Sequence, residues 1–238
     1  MNAKTEALRL LWGEGRRPSR GPQRGLSTDR IVAAAIEVVE AEGLAALSMR
    51  RVATALGVGT ASLYTYLPGK AELEALMLDA VSVEDTLPND RPGGWRAKLE
   101  AWARADWDGF RAHPWVLQLM ADVSAPGPNT LRWLDSALAV LEGTGLTEAE
   151  KVAVVESVDA YVRGLARLYV EDQQSGAGSA EETAERNRVL GELVDFTRYP
   201  HLLRALRAGV LPWSGDQFEF GLQRLLDGVE ALVESRTP

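Results

Sequence analysis

The stretch MRRVATALGVGTASLYTY, Met49 to Tyr66, decides the fold. Val52, Leu56, Val58, Leu63 and Tyr66 take buried positions at helical spacing, and small Ala53 stands where two helices must touch. Gly57 supplies the tight turn between those helices, in a position suited to positive φ. This is helix-turn-helix spacing. It holds the second helix proud of the body, so that its first turns can enter a major groove about 12 Å wide and reach base edges. Thr60, Ala61, Ser62 and Tyr64 occupy those turns, in a helix expected to run from Thr60 to about Tyr66.

Working outward, Ser48 caps the first of the two helices, whose inward face is Met49, Val52, Ala53 and Leu56. An earlier helix is marked by Ile31, Ala35, Val38 and Val39, with Ser27 or Thr28 as cap and Gly43 as stop. On the other side, Pro68-Gly69 breaks the chain before Leu73, Leu76, Met77, Ala80 and Val81 form the stripe of a fourth helix, Ala71 to about Val83. Before Ile31 the basic residues are Lys4, Arg9, Arg16, Arg17, Arg20, Arg24 and Arg30, against Glu6, Glu14 and Asp29. The chain as a whole carries a net charge of −8, so its acid excess lies downstream of a basic start. Residues 1–26 read as a basic, mostly mobile arm, in which Leu8, Leu10, Leu11 and Trp12 can make one helical turn that docks elsewhere. The arm either follows a minor groove, as homeodomain arms do, or is a solvated tail, which its composition favours.

Beyond Trp95 helical spacing recurs in Leu99, Trp102, Ala103, Asp106 and Phe110, then in Leu131, Leu134, Leu138 and Leu141. Thr147 to Glu150 is a capping box opening a long helix through Val154, Val158, Tyr161, Leu165 and Leu168. Ser175 to Ser179 is a small-residue loop, and a further helix leads to Phe196. The last helix is expected to open at Ser214, with a long stripe from Phe218 to Val233 and Gly221 and Gly228 permitting close approach. Such a helix can lie across its own domain or pair two-fold with the same helix of a second copy, and two-fold pairing is the commonest oligomeric solution. The expected fold is all-α: a three-helix head with the helix-turn-helix (27–72), joined by the fourth helix to a larger helical domain for ligand binding and dimerisation (73–238).

Without cysteine there are no disulfides, thiolate metal sites or cysteine nucleophiles. Apolar runs are short and interrupted by charge, which argues against export and membrane spanning; the missing cysteine fits a reducing cytoplasm, and the excess of Arg over Lys with abundant Ala, Gly and Leu points to a high-GC bacterial source. His113 and His201 each adjoin a proline and lack an acid-base constellation; no phosphate-cradling loop or nucleophile elbow is present. The chain therefore reads as no enzyme and as needing no cofactor, with a helical adaptor or small helical enzyme as alternatives. The aromatic second region offers a candidate ligand pocket: Trp102, Asp106, Phe110, Trp115, Met120, Trp133, Tyr161 and Phe196, with Arg163 nearby, although most such side chains are core.

The sequence resembles the TetR family in Leu47-Ser48-Met49-Arg50-Arg51-Val52-Ala53, Leu56-Gly57-Val58, Ser62-Leu63-Tyr64-Thr65-Tyr66 and Lys70-Ala71-Glu72-Leu73. Its second part is similar to the tetracycline-repressor subclass through Trp95, His113-Pro114, Gly143 to Leu146, Tyr161 to Gly164 and Phe220-Gly221-Leu222. The resemblance implies a homodimeric, nucleoid-associated repressor that binds a palindromic double-stranded DNA operator and is released by a small-molecule inducer; the fourth helix, joining pocket to head, is further expected to pivot on ligand binding. By matching positions, Ser48, Tyr64 and Lys70 would hold phosphates, while Arg50, Thr60, Ala61, Ser62 and Tyr66 would reach bases. Arg50 is the candidate for a bidentate guanine contact worth about 1–3 kcal/mol. Each has a plainer reading: Arg50 as a solvated residue, Tyr64 as partly core, Ser48 as an N-cap only. Tetracycline-binding relatives hold a magnesium-bound drug partly through a histidine; here Ala125-Pro126-Gly127-Pro128 stands in that region, and Glu171 alone makes no site. No metal, and a ligand other than tetracycline, is expected.

Overall fold

The structure, a computed structural model, describes residues 8–13, 25–82, 86–122, 126–174, 180–210 and 217–236. Helix α1 (Thr28–Glu42) begins where the Ser27 hydroxyl accepts the Arg30 amide at 3.2 Å and ends at Gly43 with φ 82°. Helix α2 (Met49–Leu56) repeats the device, with Ser48 accepting from the Arg51 amide at 3.2 Å and Gly57 left-handed at φ 69°. Helix α3 (Thr60–Leu63) is one turn long, and α4 (Lys70–Val81) follows the Pro68-Gly69 break. Ile31, Ala35 and Val39, then Val52 and Ala53, Leu63 and Leu67, and Leu73, Leu76 and Met77 close into one buried cluster.

Three sequence expectations shift. Helix α3 stops at Leu63 and Tyr64–Tyr66 continue as a turn, tightened to i→i+3 bonds ahead of Pro68: the Thr65 N–H donates to the Ser62 carbonyl at 3.4 Å and the Tyr66 N–H to the Leu63 carbonyl at 2.9 Å. Helix α4 ends at Val81, with Val83 outside the described residues. Residues 8–11 are helical and bury Leu10 and Leu11 in the head's core, so this part of the arm is docked rather than mobile. Lys4, Arg16, Arg17, Arg20 and Arg24 lie outside the described residues.

The second unit contains α5 (Trp95–Ala112), α6 (Trp115–Asp122), α7 (Pro128–Ala139), α8 (Glu148–Gln174), α9 (Ala180–Leu193), α10 (Pro200–Arg207) and α11 (Phe218–Arg236). The capping box that opens α8 forms as read: Thr147 N–H donates to Glu150 Oε2 at 2.8 Å, and Glu150 N–H to Thr147 Oγ1 at 3.3 Å. The expected start of the last helix at Ser214 lies outside the described residues. Leu99, Trp102, Ala137, Leu141, Val158, Val162, Leu222 and Leu226 form the second core, where α5 and α11 pack against α8. Helix α6 serves both units, burying Trp115 and Leu119 in the head's core and Leu117 in the body's. Helix α10, in contrast, has no buried residue.

Candidate DNA-reading face and ligand cavity

The polar residues of α2, α3 and the following turn separate into tethered and available ones. Arg51 donates through Nε to the Glu42 carboxylate at 3.0 Å, which holds that carboxyl below its ordinary range. Arg50 is exposed on the same helix and has no ion-pair partner among the described residues, leaving its guanidinium fork available for an acceptor. Ala61, Ser62 and Tyr64 are exposed, with Tyr64 at 53 %, and Thr60 is half-buried. Tyr66 is half-buried against the head's core, which makes it a packing residue as much as a contact. The Ser48 oxygen is occupied as acceptor by its cap, yet its O–H remains a donor. Lys70 is exposed where α4 starts and lies 3.4 Å from Glu74, an i,i+4 pair.

A cavity of about 770 Å³ opens where head and body meet. Five of the expected ligand-binding residues line it: Asp106, Phe110, Trp115, Met120 and Trp133. Arg163 and Asp159 join them from α8 as an i,i+4 ion pair. Burial pulls the Arg163 guanidinium down from its usual range, and the nearby Asp106 opposes that pull. Trp102 is wholly buried behind the wall. Its indole N–H donates to Asp106 Oδ2 at 2.7 Å, and its ring meets Trp133 edge-on at 5.0 Å, so it orients two lining residues without lining the cavity itself.

Tyr161 and Phe196 do not line the cavity. Two residues along a helix are about 200° apart, so Tyr161 and Arg163 face opposite ways on α8. Tyr161 instead donates to the backbone carbonyls of Gln217 and Phe218, at 3.1 and 3.0 Å, and fixes the start of α11. A Cβ at Gly221 would lie 2.1 Å from its hydroxyl oxygen, so that close approach requires glycine. Phe196 sits in a short 3₁₀ turn that belongs to neither core.

The sequence reading also missed lining residues. Ile36 and Glu40 come from α1 and Leu78 and Val81 from α4, so the reading head itself forms part of the cavity wall. Asp79 on α4 was missed as well. It is buried and accepts the amides of Asn129 (3.0 Å) and Thr130 (3.2 Å) and the Asn129 side-chain N–H (3.1 Å), thereby capping α7. A Cβ at Gly127 would fall 2.1 Å from Asp79 Oδ1. The fourth helix is thus pinned to the helix that carries Thr130 and Trp133 into the cavity. The only signals in the sequence were a lone aspartate within an apolar stripe and a glycine at a helix start.

A head built this way above a cavity-bearing helical body is matched by two family models. One, described as bacterial regulatory proteins, tetR family, covers residues 31–75; the other, described as Tetracyclin repressor-like, C-terminal domain, covers residues 87–233. The chain belongs to the TetR family. It is a DNA-binding transcription regulator rather than an enzyme. Among similar proteins, the HTH-type transcriptional repressor DrrR1 of Streptomyces coeruleorubidus is 44% identical over 96% of this chain and 86% of its own length. An HTH-type transcriptional regulator of Saccharopolyspora erythraea is 31% identical over 87% of this chain and 85% of its own. The crystal structure of the TetR family protein ActR of Streptomyces coelicolor in complex with actinorhodin superposes with a TM-score of 0.74, at 28% identity, covering 88% of this chain and 97% of that one. As in other TetR proteins the fold is all-helical, and no helix among the described residues is long and apolar enough to cross a membrane.

Proposed function

We propose that this TetR regulator represses transcription as a homodimer on a palindromic operator in the nucleoid and releases the operator when a planar aromatic small molecule fills the cavity at the head–body seam. The observation that carries the reading is the cavity's wall, built jointly from α1 of the reading head, from the joining helix α4 and from α5 to α8 of the body. A ligand there touches the element whose orientation sets operator affinity, and it shifts the equilibrium by its preference for one orientation. Phe110, Trp115 and Trp133 offer aromatic faces to a flat ligand, and Arg163 offers donors to its oxygens. ActR, whose structure holds actinorhodin, makes actinorhodin the first compound to try.

In this proposal residues 27–72 read DNA and 73–238 bind ligand and dimerise. Ser48, Tyr64 and Lys70 hold phosphates, and Arg50, Thr60, Ala61, Ser62 and Tyr66 address bases, with Arg50 the principal reader. The paired surface is the outward face of α8 and α11, where Leu168 and Phe220 stand 62 % and 69 % exposed beside Ala160, Gly164 and Gly228. Large apolar groups beside small residues let two copies approach closely across a two-fold axis. Selection of bound duplexes from a random pool, with wild type and Arg50→Ala in parallel, tests the reading. A two-fold palindrome enriched by wild type and lost with the variant supports it; no enrichment by wild type rejects it.

A further inference from the structure

One carboxylate oxygen makes polar contact between α1 and the body. Glu40, in the last turn of α1, accepts the Trp115 indole N–H on Oε1 at 2.7 Å, and the same oxygen lies 2.7 Å from His113 Nδ1. A carboxylate offers no proton to a ring nitrogen, so His113 donates through Nδ1 in this pairing. His113 terminates α5 and Trp115 opens α6, which places the contact at the hinge between two helices that wall the cavity. Ile36, one turn earlier on α1, faces the same cavity, with Phe110 and Val116 also in its wall. Trp115 is buried and its indole N–H needs an acceptor; Glu40 supplies it from the other unit.

We propose that Glu40 is a positioning residue: it latches the reading head to the α5–α6 hinge while the cavity is empty, and a ligand wedged between α1 and that hinge breaks the latch. The inference rests on the proposed ligand-released repression and adds a direct route from cavity to head beside the one through α4. Hydrogen bonds weaken steeply with distance and angle, so a displacement of about 1 Å is enough to lose both. Helix α1 packs on α2, and α2 on α3, within one close-packed core, so the head follows α1 as a unit. In this proposal the latched arrangement is the one that binds the operator.

The test measures affinity of the full-length, ligand-free protein for its selected operator in Glu40→Ala, Glu40→Gln, Trp115→Phe and the Glu40→Ala/Trp115→Phe double variant. The cycle cancels the packing cost of Trp115→Phe, which is present in both of its arms. Glu40→Ala is expected to weaken operator binding about tenfold, within the usual range of coupling between sites. Glu40→Gln, which keeps a carbonyl acceptor, falls between Glu40→Ala and wild type. The double variant is no weaker than the weaker single variant. In ¹⁵N-labelled protein the Trp115 indole N–H loses its protection against exchange in Glu40→Ala while helix content stays unchanged. Wild-type operator affinity in Glu40→Ala, or additive effects in the cycle, overturns the latch. Failure of wild type to select any operator rejects the underlying reading instead, so the two failures are distinguishable.

Discussion

Head and body solve the same problem, holding helices together, in opposite ways. The head delimits its helices one by one, by Ser27 and Ser48 as caps and Gly43 and Gly57 as stops, and leaves Arg50 and Tyr64 exposed. The body, whose α8 runs 27 residues, ties the polar groups of neighbouring helices together across the surface. Arg96 of α5 reaches Gln223, Asp227 and Glu230 of α11 at 2.9, 2.7 and 2.9 Å, and Arg104 reaches Glu219 at 2.6 Å. Those bonds raise the basicity of both guanidiniums and hold the Glu219 and Asp227 carboxyls below their ordinary range. Polar groups committed to neighbours position a scaffold, whereas uncommitted ones on rigid elements are free to bind.

Substitutions in the two regions should therefore separate cleanly. Leu168→Glu with Phe220→Glu, on the body, is expected to yield monomers by sedimentation and to lower operator affinity by roughly 10²-fold or more, because the second half-site contact is no longer intramolecular. Retention of the dimer would reassign the paired face. Asp79→Ala, at the seam, strips the cap from α7 and leaves its amides buried; thermal denaturation should show a loss of about 3 kcal/mol. Arg50→Ala, on the head, should cost about 2 kcal/mol of operator affinity with an unchanged melting temperature. Arg51→Ala, whose side chain is committed to Glu42 and exposed, should change specific binding far less. The smallest effect is expected for Lys70→Met, a salt slope shallower by about one unit with sequence preference unchanged.

The same contrast explains what could be read from the sequence. The head was legible because its signals are local: a serine before a helix, a glycine after it, an apolar stripe between. The length of α3 was not, since its last turn tightens to i→i+3 bonds ahead of Pro68. Docking of Leu10 and Leu11 was visible only as a possibility, because a short apolar turn does not reveal which surface receives it. Five cavity residues were found from aromatic stripes on α5 to α7. Glu40 and Asp79 were not, because their partners Trp115 and Asn129 lie 75 and 50 residues away. Tyr161 and Phe196 were chosen as large and aromatic, and the helical phase of one and the peripheral position of the other turn them elsewhere.

The central claim is that occupancy of the seam cavity controls operator binding, and it can be tested without knowing the inducer. Gly109 on α5 lines the cavity, and a Cβ there meets nothing within 4 Å, so Gly109→Phe places a ring where a ligand would lie. Operator affinity of this variant, measured beside its melting temperature and dimer content, is the decisive quantity. The account predicts a loss of at least about fivefold in a folded dimer. A folded, dimeric Gly109→Phe that binds the operator as tightly as wild type would contradict it.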